Sequence, residues 1–492
     1  MSKSQGFKYY ANLLLKGGAA VSLGEIGSKI IGFLLLPVFT YYLSPQDYGI
    51  VSLTFLIVTL LNLFYNPGIL SASVRLYHSK NDENERREYI GSALIYFLFI
   101  PLSVSLLILI FRKEFFSFVF PNLDFFPYGL IAIFIAFFTQ VKRLWIALMT
   151  LIYKVEITAL YSFLSITIGL LVSLFLVIVF DMGALGRILG AVPPAIFLFI
   201  IGFKTLINFS GNRWSWKKIK YLLRFGSPLI IAIWSYEILY VADRFIIERM
   251  LGIAALGIYT FAYTIGEAQK FLLVGIKKMW SPIFYENMNK KNFTVIKGLI
   301  SFYIIFLVQI NLFMILFSKE IIIILVNERF YDSIPLLSLI IVGLFFNGLI
   351  MIFSSSLAYK NKFASISKIA LIASILNIIL NILLIPIYGL IGAALATLLS
   401  YFIYFLIGTF IERETIFKFT DMKLLIYSII YIIASSLVVL QFDFLEIKIY
   451  EILIKVSIFI IFSIMLIFFK FINIKELIKN FKFLVSIKKN SN

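Results

Sequence analysis

Apolar residues in this chain do not alternate with polar ones. They run on, in stretches of about 20 to 30 residues. Fourteen such stretches are legible, at roughly 12–42, 49–77, 89–111, 125–150, 155–180, 184–208, 222–248, 255–280, 294–318, 334–359, 364–387, 390–411, 422–441 and 450–471. Each is long enough to cross a bilayer as a helix. Continuous runs without period-two alternation exclude the barrel pattern. Turn-forming residues punctuate the runs: "SPQDYG" parts the first from the second, "FDMGALG" the fifth from the sixth, and "IPIYGLIG" the eleventh from the twelfth. The pattern predicts an all-α polytopic membrane protein of about fourteen transmembrane helices.

The runs repeat. "YLSPQDYGIVSL" (Tyr42 to Leu53) aligns with "MLGIAALGIYTF" (Met250 to Phe261), sharing Leu and Gly-Ile at an offset of 208. "LIYKVEITA" from Leu151 aligns with "LAYKNKFAS" from Leu357 at an offset of 206, and the "GxxG" turns Gly183/Gly186 and Gly389/Gly392 keep that register. Six spans per copy is an even number, so both copies enter the membrane from the same side. This predicts a parallel repeat: a six-helix lobe over 1–208, a second over 209–412, and over 413–492 two additional transmembrane helices and a basic cytoplasmic tail. In such transporters the substrate site lies between the halves near the midplane.

Composition agrees: 61% of the 492 residues are apolar and 17% aromatic. There is no Cys, hence no disulfide or thiolate site, and the one histidine, His78, cannot build a His-based metal site. No cleavable signal peptide is evident. The formal net charge of +19 would suggest nucleic acid on a soluble protein. Here 33 Lys and Arg fall on the N-terminal side of the membrane and nine on the other. The charge is thus spread over every inner loop, which excludes a nucleic-acid partner and predicts both termini in the cytoplasm.

Charges inside spans are costly and face a cavity or a partner. The candidates are Glu25 and Lys29 in the first span, Glu237, Asp243 and Arg244 in the seventh, and Glu267 and Lys270 in the eighth. At the offset of 208, Lys29 matches Glu237 and Lys270 matches Asn62, positions where the seam between halves could be wetted. Simpler readings stand beside these. Glu25–Lys29 and Glu267–Lys270 have ion-pair spacing on a helix. Asp243-Arg244 and Glu248-Arg249 could be interfacial anchors. Arg75 sits at the cytoplasmic membrane face, and Asn377 and Asn381 have the spacing of interhelical hydrogen bonders. Gly24, Gly27, Gly32 and the "NPG" of Asn66 to Gly68 mark the first hairpin as deformable.

Three stretches resemble a known family. "SKIIGFLLLPVFTYYLSPQDYGIVSL", "RFGSPLIIAIWSYEILYVADRFIIERMLGIAALGIYTFAYTIG" and "ILNIILNILLIPIYGLIGAALATLLSYFI" are similar to the O-antigen or capsular polysaccharide repeat-unit flippases of the Wzx type, the polysaccharide-transport branch of the MATE-like MOP superfamily. The resemblance implies a V-shaped pair of six-helix bundles around a cationic cavity. It implies an undecaprenyl-pyrophosphate-linked oligosaccharide as substrate, and cation coupling by H+ or Na+.

A pyrophosphate headgroup needs cations. Lys29 and Lys270 are the basic residues that topology does not explain, and they are expected to meet it, with Arg244 and Arg75 as weaker candidates. Glu25, Glu237, Asp243 and Glu267 are the carboxylates expected to exchange a coupling cation. The chain departs from the family in relying on Lys, a point charge without bidentate phosphate geometry. Further expected partners are membrane lipids and polysaccharide polymerase and assembly proteins; the expected location is the bacterial plasma (inner) membrane. Rivals are a lipid II flippase, for which the span count also fits, and a MATE-type drug exporter, disfavoured by the buried lysines. An enzyme such as a polysaccharide polymerase or ligase is disfavoured by short external loops and the lack of any nucleophile or metal constellation. A passive channel is disfavoured by the two-half repeat.

Overall fold

A computed structural model describes residues 27, 30–152, 154–227, 230–441 and 448–468; among them every regular element is a helix. The first half holds α1 (Leu36–Tyr42), α2 (Pro45–Tyr65), α3 (Ile69–Ser79), α4 (Glu83–Ile110), α5 (Arg112–Val119), α6 (Leu130–Leu151), α7 (Val155–Ile178), α8 (Gly183–Leu189) and α9 (Val192–Ser210). A short helix, α10 (Trp216–Gly226), links it to the second half. That half holds α11 (Ile230–Leu251), α12 (Ile253–Gly266), α13 (Gln269–Asn289), α14 (Phe293–Leu316), α15 (Ser318–Leu325), α16 (Ile334–Tyr359) and α17 (Phe363–Ile411). Last come α18 (Arg413–Phe419), α19 (Met422–Val439) and α20 (Ile449–Phe468).

Among the described residues, ten stretches are long and apolar enough to span a membrane. The difference from fourteen has physical causes. α11 carries Glu237, Asp243, Arg244, Glu248 and Arg249. The predicted 255–280 span breaks at Glu267, between α12 and α13. α17 contains two predicted spans, joined where Gly389 takes φ 58°. The first span lies partly outside the described residues.

The turn chemistry works as the sequence implies. Ser44 Oγ accepts from the Asp47 amide at 3.1 Å while Asp47 Oδ2 accepts from the Ser44 amide at 2.9 Å, a reciprocal cap that starts α2 with Pro45 in its first turn. Asp47 also accepts from the Ala184 amide at 3.1 Å, tying α2 to the start of α8. Gly68, at φ 79°, ends the "NPG" break between α2 and α3. Gly183 and Gly389, 206 positions apart, both adopt positive φ, so the repeat is visible in the backbone.

Packing sorts the helices into two groups. α6 packs on α2, α4 and α9; α17 packs on α11 and α16; and α12 packs on α16. The groups meet mainly where α2 crosses α12. A Cβ on Gly49 would overlap the Ile253 carbonyl, and a Cβ on Gly257 would overlap the Pro45 carbonyl. Each glycine admits the other helix's backbone, and each contact is the other's image at the offset of 208. The same end carries a bond from Asn122 Nδ2 to Glu248 Oε1 at 2.8 Å and one from Arg249 to the Phe118 carbonyl. Glu248 is therefore buried and bonded rather than extended into the interface.

The two additional helices, α19 and α20, pack against α14. A pair of crossed ion pairs fastens α20: Lys319–Glu451 at 2.8 Å and Glu320–Lys455 at 2.6 Å. Lys319 and Lys455, which the sequence pattern assigns to the outer surface, are only 1% and 0% exposed. Two lysines can be buried there because each meets a carboxylate.

Candidate functional site

The charged residues inside the spans gather on the second group. α11 presents Glu237, Tyr240, Asp243 and Arg244 along its length. The break after Gly266 brings Glu267 and Lys270 to the same place. Lys270 Nζ lies 2.5 Å from Glu267 Oε1 and 5.1 Å from the centre of the Tyr240 ring. Arg244 lies over the rings of Tyr240 (4.9 Å) and Tyr263 (5.3 Å). Arg244 Nε is buried without a hydrogen-bond partner. Such a nitrogen is a donor held ready for an anionic acceptor.

Asp243 forms the innermost part of the cluster. It is 2% exposed and accepts from the Tyr259 hydroxyl at 2.6 Å and the Arg244 amide at 2.8 Å, with Thr397 Oγ1 at 3.4 Å. A buried carboxylate with neutral hydroxyl donors can trade them for a proton or a small cation. Asn377 and Asn381, also buried on α17, bond along their own helix at 2.8 Å rather than across helices. Asn381 Oδ1 is left without a partner, a further acceptor on the helix that packs against α11. Among the described residues no group of three or more His, Asp or Glu is arranged to hold a metal.

Glu237 lies within electrostatic range of Arg143, a cation of α6 in the first group, without forming an ion pair with it. Phe64 and Trp234 touch across the same seam, with ring centres 5.1 Å apart. On the charge pattern Lys142 and Arg143 belong to the 33 cations of the inner side. The structure sets them within α6, which continues to Leu151. The available signal was that Arg143 falls seven residues inside the predicted 125–150 span.

The remaining expected residues divide. Arg75 is exposed on α3, 5.4 Å from the Phe225 ring of α10 and apart from the α11 cluster in sequence and helix. Glu25 and Lys29 lie outside the described residues. Asn62, the counterpart of Lys270, does not wet the seam: it is buried and accepts from Gln140 Nε2 at 2.5 Å. A side-chain amide satisfied within its own group has no reason to face water.

The profile of a family described as polysaccharide biosynthesis proteins matches residues 14–288, more than half of the chain. The chain belongs to this family. No curated protein sequence matches it. In fold, this polysaccharide biosynthesis family member is similar to the lipid II flippase MurJ in an inward closed conformation. The TM-score is 0.72 at 20% identity over 92% of this chain and 98% of that one. It is also similar to an inward-facing multidrug resistance MATE transporter of the MOP superfamily, with TM-score 0.61 and 15% identity over 80% and 94%. A MOP superfamily transporter from Pyrococcus furiosus, described by a binding pocket of reverse polarity, gives TM-score 0.58 and 13% identity over 81% and 95%. The chain is a multi-pass membrane protein with the MOP-superfamily fold.

Proposed function

We propose that this protein flips undecaprenyl-pyrophosphate-linked oligosaccharide repeat units from the cytoplasmic to the outer leaflet of a bacterial plasma membrane, by alternating access. The observation that carries the reading is the placement of three cations in the seam of a chain of the polysaccharide biosynthesis family: Arg244 and Lys270 on one group and Arg143 on the other, beside the carboxylates Glu237, Asp243 and Glu267. A site for cationic drugs has no use for three cations inside its spans. A pyrophosphate does, and the surrounding tyrosines suit sugar hydroxyls and rings.

The crossing of α2 and α12 joins the two groups at the end of the seam where α2 begins. With both termini cytoplasmic, as the charge asymmetry favours, that is the outer end. Headgroup entry from the inner leaflet then competes with Glu267 for Lys270 and meets Arg143 across the seam. The freed Glu267 carboxylate and the new anion redistribute charge across the seam and weaken the outer contact. Outward movement of each negative charge gains about 2.3 kcal/mol per 100 mV of inside-negative potential. Asp243, exchanging H+ or Na+, resets the empty carrier; polymerase and assembly proteins act downstream.

A lipid II substrate is the second reading, favoured by the extent of the structural likeness to MurJ. The experiment is genetic complementation in two hosts. The proposal expects rescue of surface glycan in a repeat-unit flippase mutant and no rescue of a lipid II flippase depletion. The opposite pattern overturns it.

A further inference from the structure

α10 joins the two halves at one membrane face, between the end of α9 and the start of α11. One side of it is clamped to the first half. Ile219 and Leu222 are buried as it packs on α3 and α4. Lys218 Nζ meets Glu85 at 2.6 Å and covers the Tyr89 ring at 4.3 Å. At its end Gly226 abuts Gly68, so that a Cβ on either would overlap the other's backbone.

The opposite side is free. Trp216, Lys217, Lys220, Tyr221 and Arg224 are exposed and share one face of the helix. Trp216 is 63% exposed, and the preceding Trp214 packs edge-on against it at 6.1 Å between ring centres. Arg75, reaching from α3 over Phe225, extends the same basic surface. No acidic side chain neutralises Lys217, Lys220 or Arg224 within ion-pair distance among the described residues.

We propose that this face of α10 binds the anionic phospholipid headgroups of the adjoining leaflet. Two features choose this occupant over an acidic protein. Exposed indoles and a phenol are unfavourable in water and settle at the headgroup level. The cations interleaved with them complement phosphates in the same layer. Position adds a third, since a linker that follows directly on the spanning stretch ending at Ser210 already lies at that depth. The strap is thereby fixed to the first half on one side and to lipid on the other.

The test uses the full chain in nanodiscs of equimolar phosphatidylglycerol and phosphatidylcholine, with the photocrosslinker benzoylphenylalanine replacing Tyr221. A second position, Leu437 on α19, is 59% exposed among apolar neighbours and serves as the general lipid-contact control. Expected is an enrichment of phosphatidylglycerol adducts at position 221 of about tenfold over the control. Lys217→Gln, Lys220→Gln and Arg224→Gln together, all surface changes, should bring the ratio to the control value. A ratio equal to the control, or one unchanged by the triple variant, overturns the proposal. So does loss of the enrichment on adding inorganic pyrophosphate at constant ionic strength, which would give the face to the substrate headgroup.

Discussion

Ser52 Oγ and Thr260 Oγ1 lie 2.8 Å apart, and the two residues are 208 positions apart. The hydrogen bond joins one repeat to the other through equivalent positions, next to the Gly49–Gly257 crossing. The pseudo-twofold axis therefore passes through the contact that closes this end. Small residues let the two backbones meet at the centre of this contact, and beside it the Tyr48 ring of α2 packs edge-on against Phe261 of α12 at 5.8 Å.

Gly49→Val should force this crossing apart. Backbone overlap of this kind costs about 1–3 kcal/mol, enough to move a two-state carrier well toward its other state. Because the chain has no native cysteine, single cysteines at Ser52 or Thr260 report access directly. Thiol labelling from the outer side should rise at least several-fold in the Gly49→Val background. Ser52→Ala removes one hydrogen bond of about 0.5–1.5 kcal/mol and should raise it less.

The crossed pairs Lys319–Glu451 and Glu320–Lys455 predict a large, specific defect. Removing one partner leaves a buried charge, at about 3–5 kcal/mol. Lys319→Met should therefore lower the thermal midpoint in detergent sharply. The charge exchange Lys319→Glu with Glu451→Lys should recover part of the loss. Equal instability of the exchange and the single variant would show that geometry, not pairing, decides.

Glu412 ends α17 and accepts from Ser356 at 2.6 Å and Lys360 at 2.7 Å. Burial pushes its carboxyl up, but the bonds from Lys360, Ser356 and Thr415 outweigh that and hold it below the usual carboxylate range. A depressed folded value contributes stability that is present above the unfolded value, about 4.3, and is lost as pH falls through the folded one. Glu412→Gln should be less stable than the parent at neutral pH, with the difference narrowing in acid. Melting curves from pH 7 downward check the sign.

Asp243→Asn should abolish the response of transport to an imposed H+ or Na+ gradient. It keeps an acceptor for Tyr259, so the packing survives. Tyr259→Phe should shift the response without abolishing it. Flipping in proteoliposomes under defined gradients reads both.

Much of this was legible beforehand, for reasons visible in particular residues. Bilayer thickness and hydropathy dictate the spans, and Ser44, Pro45 and Asp47 can do little else than start a helix. The offset of 208 read from the Gly-Ile pairs reappears as the Ser52–Thr260 bond, and the offset of 206 as the shared positive φ of Gly183 and Gly389. Arg143 was not legible as a seam residue, because a cation near a predicted span end reads the same as a loop cation. Nor was the burial of Lys319 and Lys455, which depends on partners more than 130 positions away. The break at Glu267 was hidden because no Pro and no turn motif marks it. Glu25 and Lys29 keep their expected roles as proposals, to be tested as Lys270 is.

The most direct measurement is flipping of a labelled undecaprenyl-pyrophosphate-linked repeat unit in proteoliposomes, with lipid II in parallel. The account predicts transport of the repeat unit. It also predicts a loss of at least tenfold in Arg143→Ala and in Lys270→Ala, with folding intact. Equal rates in these variants, or transport of lipid II with none of the repeat unit, would contradict it.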